Sequence, residues 1–338
     1  MASRLATIPV ASPLHWYRLG DGVFGLRTSD PAFRRRFDRL YADCRTGRPD
    51  DHAPRVVCTT RSDPGTVHVV YDDPCPLDSA AFVQAIFPGP GYEELPAAAV
   101  PAGWQVLRTT GPVPDMAFSG PVALFPADAP WQRFAGNLGV NRVLRLQTGT
   151  VFFHGAAAVV GGRAVVLLGP KGAGKTTLSL ALASRGHEFL GDETAGVRLK
   201  SREVIPVRRT TAIREGPAAE RVRKSLAGTR HPRERFPDGS VRVRARGSRL
   251  FGESRTGAAP LGALIFLEGF GEAPGIERLA AGREHLARLT PLACSMWEVP
   301  AGRRAMELAS LLTATTCYTL KAGPPDATAE LIERTLED

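Results

Sequence analysis

Lysine is scarce in this chain. Of the 43 basic residues only five are lysines (Lys171, Lys175, Lys200, Lys224 and Lys321), and two of them fall in one short loop. Arginine does the ordinary cationic work elsewhere, so lysine in that loop points to a use for a compact ammonium. The five cysteines (Cys44, Cys58, Cys75, Cys294 and Cys317) are odd in number and widely spread. No Cys-x-x-Cys pair exists, which argues against a zinc ribbon or a disulfide framework and for reduced thiols. No stretch reaches the roughly 18 uncharged apolar residues that span a bilayer. The stretch from Met1 to Gly20 has neither the basic start nor the apolar centre of a signal peptide. A soluble, cytoplasmic protein with no membrane partner is expected. Internal repeats are absent.

At 338 residues there is room for one large domain or two modest ones, and an apolar content of 43% supports a sizeable core. The net charge of +9 is concentrated. Residues 198–255 hold 17 basic and 6 acidic residues, a local balance of +11, which leaves the remainder near −2. Such a segment implies an anionic partner: a nucleotide, an acidic peptide or a nucleic acid. Within it Phe236 and Phe251 stand alone. That lack of aromatic interleaving argues against single-stranded nucleic acid, which needs stacking platforms.

The most informative stretch is Gly169-Pro170-Lys171-Gly172-Ala173-Gly174-Lys175-Thr176-Thr177. It fits the pattern G-x-x-x-x-G-K-[ST], whose backbone N–H groups cradle phosphates while the lysine reaches the β/γ-phosphates and the hydroxyl ligates Mg²⁺. Before it, Arg163–Gly169 reads as a buried strand. After it, Leu178, Ala181 and Leu182 recur on one helical face, and Gly186 supplies a stop. Strand, glycine loop and helix suit the chemistry, because a helix N-terminus adds positive field at the phosphates. ATP and Mg²⁺ are the expected cofactors.

The organisation follows from composition. Residues 1–125 alternate short strand-like runs with one helix around Pro31–Cys44, and read as a smaller α+β region that could recognise a peptide substrate. Asp63, Asp72 and Asp73 in it read as solvated turn residues. Residues 131–338 read as the nucleotide-binding catalytic domain, opening with a helix over Trp131–Leu146 that uses Trp131, Phe134, Leu138, Val143 and Leu144 as one face. Two apolar runs, Thr150–Val160 and Arg163–Leu168, are split by Gly161-Gly162, which predicts a tight antiparallel hairpin immediately before the loop. Val241–Arg246 alternates strictly, so Arg242, Arg244 and Arg246 share one strand face. Leu261–Glu268 reads as a buried strand, and Ala305–Thr313 and Ala327–Leu336 as helices.

From His154-Gly155 onward the chain resembles the C-terminal catalytic domain of HPr kinase/phosphorylase, and more closely the HPr-kinase-related kinases, some of which sit beside peptide-tailoring pathways and phosphorylate serine. The resemblance rests on His154-Gly155, Gly161-Gly162, Gly169–Thr177, Arg185-Gly186-His187, Phe189-Leu190 and the acidic pair Asp192-Glu193, in that order between residues 150 and 195. It implies an α/β fold with a phosphate-loop core and a mixed sheet. It also implies an ATP-dependent serine kinase acting on a peptide or protein, with a ribosomally made precursor peptide as one acceptor, and an oligomer as one assembly. Two departures stand out. The second acid is Glu193 where the family carries Asp. The family's Glu-x-Arg-Gly element is represented only by Arg214-Glu215-Gly216. Those departures argue against the phosphorylase reaction and against HPr as the acceptor.

By resemblance, Asp192 is the general base, Glu193 a metal ligand or helper, and His154 sits at the γ-phosphate end, donating to phosphate or to an acid of the pair; the two acids could exchange roles. Lys175 and the backbone of 171–176 hold phosphates, and Thr176 with Asp192 or Glu193 holds the metal. Arg208, Arg209 and Arg214 could stabilise the transferred phosphoryl group or bind an acidic peptide. For any single arginine, a solvated surface charge is the default reading. A second class of function is an ATPase or GTPase switch whose metal-site acid is Glu268, after the apolar run Ala263–Leu267. A third is a non-catalytic nucleotide-binding peptide adaptor.

Overall fold

The computed structural model describes residues 12–50, 52–73, 83, 92–109, 115–214, 231–235, 239–251, 257–280, 282–294 and 299–337. The readings placed on Cys75, Glu215, Gly216, Lys224 and Phe236 lie outside these. The chain is mixed α/β and divides into two compact units, Met1–Arg39 with Arg45–Gln147 and Leu40–Cys44 with Thr148–Asp338.

In the first unit nine strands form one sheet: β1 (His15–Leu19), β2 (Gly22–Arg27), β3 (Arg45–Thr46), β4 (Arg55–Asp63), β5 (Thr66–Asp72), β6 (Tyr92–Glu94), β7 (Gln105–Thr109), β8 (Met116–Ser119) and β9 (Val122–Pro126). Their order is β3-β1-β2-β4-β5-β9-β8-β7-β6. The two-residue period of a half-buried strand is plain in β4 and β5, where Val56, Cys58, Thr60, Val67, Val69 and Tyr71 are all buried.

The helix Trp131–Arg145 belongs to this unit and not to the nucleotide unit where the sequence placed it. Its expected apolar face is buried, but against this sheet and its helix. Trp131 meets Phe33 edge-on with centroids 5.1 Å apart, and the Tyr71 hydroxyl donates to the Ala135 carbonyl at 2.8 Å. The same packing corrects the reading of Asp73 as solvated. Its carboxylate is buried against Arg142, whose guanidinium lies 4.4 Å from the Tyr71 ring centroid. A buried arginine needs such a counter-charge, since desolvating it alone is too costly. Asp63 does stay near solvent, paired with Arg61 at 2.8 Å.

The second unit is built on β10 (Thr150–Phe153), β11 (Gly155–Val160), β12 (Arg163–Leu168), β13 (Glu188–Gly191), β14 (Ala195–Arg198), β15 (Glu203–Ile205), β19 (Ala259–Phe270), β20 (Gly275–Leu279) and β21 (Thr316–Ala322). The main order is β10-β14-β15-β19-β12-β11-β13, with β21 paired to β19 and β20 to β21. The sheet is mixed. β11 and β12 form the expected antiparallel hairpin, Val160 opposite Arg163, and both turn glycines take positive φ (57° and 78°). β12, β19 and β21 are parallel neighbours.

Both faces of this sheet are covered, which explains why β11 and β12 are apolar throughout rather than alternating. Ala156, Ala158, Val165 and Leu167 face Leu178 and Leu182 of the helix Lys175–Ser184 and Ile332 of the helix Pro325–Glu337. Ala157, Val159, Val166 and Leu168 lie in a second core with Leu289, Leu308 and Leu311, from the helices Arg283–Leu289 and Ala301–Thr313. A separate three-stranded sheet, β16 (Thr211–Arg214), β18 (Val241–Ala245) and β17 (Arg233–Arg235), runs in the order β16-β18-β17. Among the described residues no helix is long and apolar enough to cross a membrane, and Cys44, Cys58, Cys294 and Cys317 are free thiols.

Candidate active site

The site is assembled at the C-terminal end of β12, where open α/β sheets place their ligands. The chain leaves β12 at Leu168, turns through 169–174, and enters a helix at Lys175 with Gly174 as N-cap at φ 92°. Gly169 and Gly172 also have positive φ, at 150° and 94°. The first intrahelical bond runs from the Leu178 N–H to the Gly174 carbonyl at 2.9 Å. The N–H groups before it therefore have no acceptor within the helix, and together with the helix dipole they make a terminus suited to an anion. Lys175 is buried and arches back over the loop, donating from Nζ to the carbonyls of Gly169 at 2.7 Å and Pro170 at 3.0 Å. Burial lowers its basicity, while Asp192 and Glu193 act in the opposite direction.

Those two acids arrive from β13, which lies beside β11. Gly191 sets their position. A side chain there would bring a Cβ within 2.6 Å of the Val207 carbonyl, with which strand-like contact is made. The Thr176 hydroxyl donates to Asp192, 3.0 Å from Oδ1 and 3.1 Å from Oδ2, and the Glu193 N–H donates to Oδ1 at 2.9 Å. Asp192 is 3% exposed. Burial first, and the charge of Glu193 second, push its pKa up to about 7, against the pull of Thr176, the Glu193 N–H and Lys175.

Glu193 has the opposite environment. It sits at φ 68°, left-handed for a non-glycine residue, a strain of about 1 kcal/mol or more of the kind found at functional sites. Its Oε2 pairs with Arg209 Nη1 at 2.7 Å. Burial would raise its pKa, but Arg209, Arg244, His154 and Arg242 outweigh that and hold it below the usual range. Adjacent carboxyls driven apart in this way have the electrostatics that a division of acid and base roles requires.

His154 bridges β10 and β11. Its N–H donates to the Leu292 carbonyl at 2.8 Å, and Nδ1–H donates to the Glu193 carbonyl at 3.2 Å. The ring is not a core residue: its outer edge is exposed. The packing on its inner side, and then Lys175, lower its pKa, with Glu193 opposing, which favours a neutral imidazole near pH 7.

The arginines divide. Arg209 reaches the site through Glu193 and lies 5.8 Å from the centroid of the Tyr41 ring. Arg242 and Arg244 are buried, 8% and 3% exposed, so they are not the solvated charges that the sequence led us to expect. Arg244 donates from Nε to Glu234 Oε2 at 2.7 Å and from Nη1 to the Thr210 carbonyl at 3.3 Å. Their alternation along β18 was visible in the sequence, but not which face was buried. Arg208 has a lowered pKa from burial, opposed by Asp43, Cys44 and Glu188, and its Nε and Nη2 are buried with no hydrogen-bond partner among the described residues. Arg214 ends β16 exposed to solvent. Glu268 turns to Arg288 in an exposed ion pair. His187 and Arg185 both bind Glu333, with His187 Nε2 2.6 Å and Arg185 Nη2 2.6 Å from its carboxylate, a tie between helix ends rather than a site.

Among the described residues no cluster of three or more His, Cys, Asp and Glu is arranged to hold a metal by itself. Thr176 and Asp192 supply oxygen donors at one point, which suits Mg²⁺, an ion that takes few protein ligands and completes its shell with phosphates and water.

No protein-family model and no curated protein matches the chain. Among solved structures, the Hpr(Ser) kinase/phosphatase from Coxiella burnetii is similar over 55% of this chain and 88% of that one, at 14% identity and a TM-score of 0.28. A likeness so weak carries no functional argument; what the site can do rests on its side chains.

Proposed function

We propose that this chain is a phosphotransferase with a phosphate-loop core of the HPr-kinase kind, which moves the γ-phosphoryl group of ATP to a hydroxyl, serine by expectation, of a peptide or protein. The observation that carries this reading is the Thr176–Asp192 hydrogen bond. It joins the hydroxyl of the loop motif to a buried acid from another strand, directly beside Lys175. A plain nucleotide-binding module has no need to keep a second, strained acid next to the first.

In this reading the phosphates of ATP lie against the loop 169–174 and the N-terminus of the helix Lys175–Ser184. Lys175 exchanges its two carbonyl acceptors for phosphate oxygens. Thr176 with one acid of the pair would hold Mg²⁺, which would supply charge neutralisation. Asp192 takes the proton of the acceptor hydroxyl as that oxygen bonds to the γ-phosphorus and the bond to the ADP oxygen breaks. A base of near-neutral pKa suits that task. Glu193, held ionised by Arg209, is the helper, and neutral His154 spends its one N–H on the Glu193 carbonyl, so it positions that acid rather than donating to the phosphoryl group. Arg209 is the basic residue beside the acid pair for an acidic or precursor peptide; Arg208, with Nε and Nη2 buried, is not open to it, and exposed Arg214 is available only to a larger acceptor. The first unit is the candidate for peptide recognition.

The test is transfer of label from γ-³²P-labelled ATP to candidate peptides. Labelled acceptor lost on Asp192→Asn supports the reading; ADP released with no acceptor labelled under any condition refutes it. The switch reading, with Glu268 at the metal, is disfavoured by the pairing of Glu268 with Arg288.

A further inference from the structure

One exposed aromatic ring lies against the same loop. Phe270 is 64% exposed, and it and Met306 are the large hydrophobic side chains left exposed among the described residues. Phe270 ends β19, which runs parallel to β12, so the ring stands at the sheet end from which the loop emerges. The register break between Leu267 and Gly269, with Gly269 at φ 132°, releases the strand end from the cover on both faces that buries Phe266 and Leu267. The ring edge rests on the N-cap of the loop helix: a Cβ added to Gly174 would meet Phe270 Cε1 at 3.2 Å and Cζ at 3.3 Å.

Three features of this ring need one explanation. It is apolar yet uncovered, among the described residues it stands alone rather than in a patch, and it touches the residue that opens the loop helix. An exposed phenyl face gains by being covered, and the partner that fits a single ring beside a phosphate cradle is a flat aromatic group tethered to phosphates. The geometry points to Phe270 as the platform on which the base of the bound nucleotide stacks, while its phosphates occupy the loop. This rests on the nucleotide reading above and adds the base site to it. Every base presents a π-face, so the platform serves adenine and guanine alike. Losing one base–aromatic stack corresponds to about a tenfold or larger loss of affinity.

The test is calorimetric titration of the full chain with ATP, GTP and inorganic tripolyphosphate. Phe270→Ala is expected to weaken ATP and GTP about tenfold or more and to leave tripolyphosphate unchanged, and Phe270→Trp to retain nucleotide affinity. Because the ring is exposed, the fold tolerates both changes. If Phe270→Ala weakens all three equally, the ring acts by shaping the loop and the platform is wrong. If it weakens none, the platform is wrong while the loop reading stands. If the unaltered chain binds none of the three, the nucleotide reading itself fails, and the platform with it.

Discussion

Replacing Asp192 by asparagine separates the buried-acid geometry from the kinase proposal, because it is read without substrate. The folded-state pKa of Asp192 is pushed up from 3.8 to about 7. A carboxyl raised in this way favours the fold fully below its unfolded pKa, where it is neutral in both states. That advantage is lost as pH rises from about 4 to 7, since the folded state must then hold a buried charge. A rise of that size corresponds to roughly 4 kcal/mol, an upper bound because the repulsion is shared with Glu193. Asparagine keeps an oxygen for the Thr176 hydroxyl and carries no charge. With divalent metal chelated, urea unfolding should therefore show the two proteins matched near pH 4. By about pH 8 the variant should be more stable by up to a few kcal/mol, equivalent to a melting shift on the order of 10 °C for a unit of this size. A difference that does not change with pH, or a variant less stable above neutrality, would refute the buried acid. Phosphoryl transfer should fall by about 10²–10⁴ in the same variant.

Lys175→Ala should cut transfer by about 10²–10³ through lost phosphate stabilisation, measured as labelled acceptor. Glu193→Gln leaves Arg209 without its carboxylate and should cost about 1–3 kcal/mol in urea unfolding, with a smaller loss of transfer than Asp192→Asn. Gly191→Ala forces a methyl towards the Val207 carbonyl and should destabilise by about 1–3 kcal/mol or more, seen as a lower urea midpoint. Glu268→Gln breaks only an exposed pair worth under about 1 kcal/mol, so ATP turnover should change less than severalfold; abolished turnover would restore the switch reading.

The loop was legible because its information is contiguous: nine residues carry the glycines, the lysine and the hydroxyl, and the flanking periodicities name the strand and the helix. The hairpin was legible for the same reason, since two glycines between apolar runs admit few other turns. Helix existence also read well, though not the ends: Ala305–Thr313 is longer at its N-terminus, running over Ala301–Thr313, and the helix near Pro31–Cys44 stops at Leu40 before a short 3₁₀ turn over Ala42–Cys44. What failed was partnership. Trp131–Arg145 has an apolar stripe that any sheet could cover, so nothing local says which unit claims it. Asp73 looks like a turn acid until Arg142, 69 residues away, is brought onto it. The alternating arginines of β18 are equally compatible with water or with burial beside acids.

By itself the amino-acid order determined the glycine-rich loop between a strand and a helix, the hairpin feeding it, and the presence of an acid pair one strand further on, because each depends on neighbours in the chain. Only the tertiary structure decided that Asp192 meets Thr176, that Arg209 meets Glu193, and that Phe270 rests on Gly174. Those meetings depend on burial and on charges distant in sequence. Two carboxyls with the same intrinsic chemistry become different acids once one is buried against the charge of the other, with Lys175 only partly offsetting, and the other is paired with Arg209.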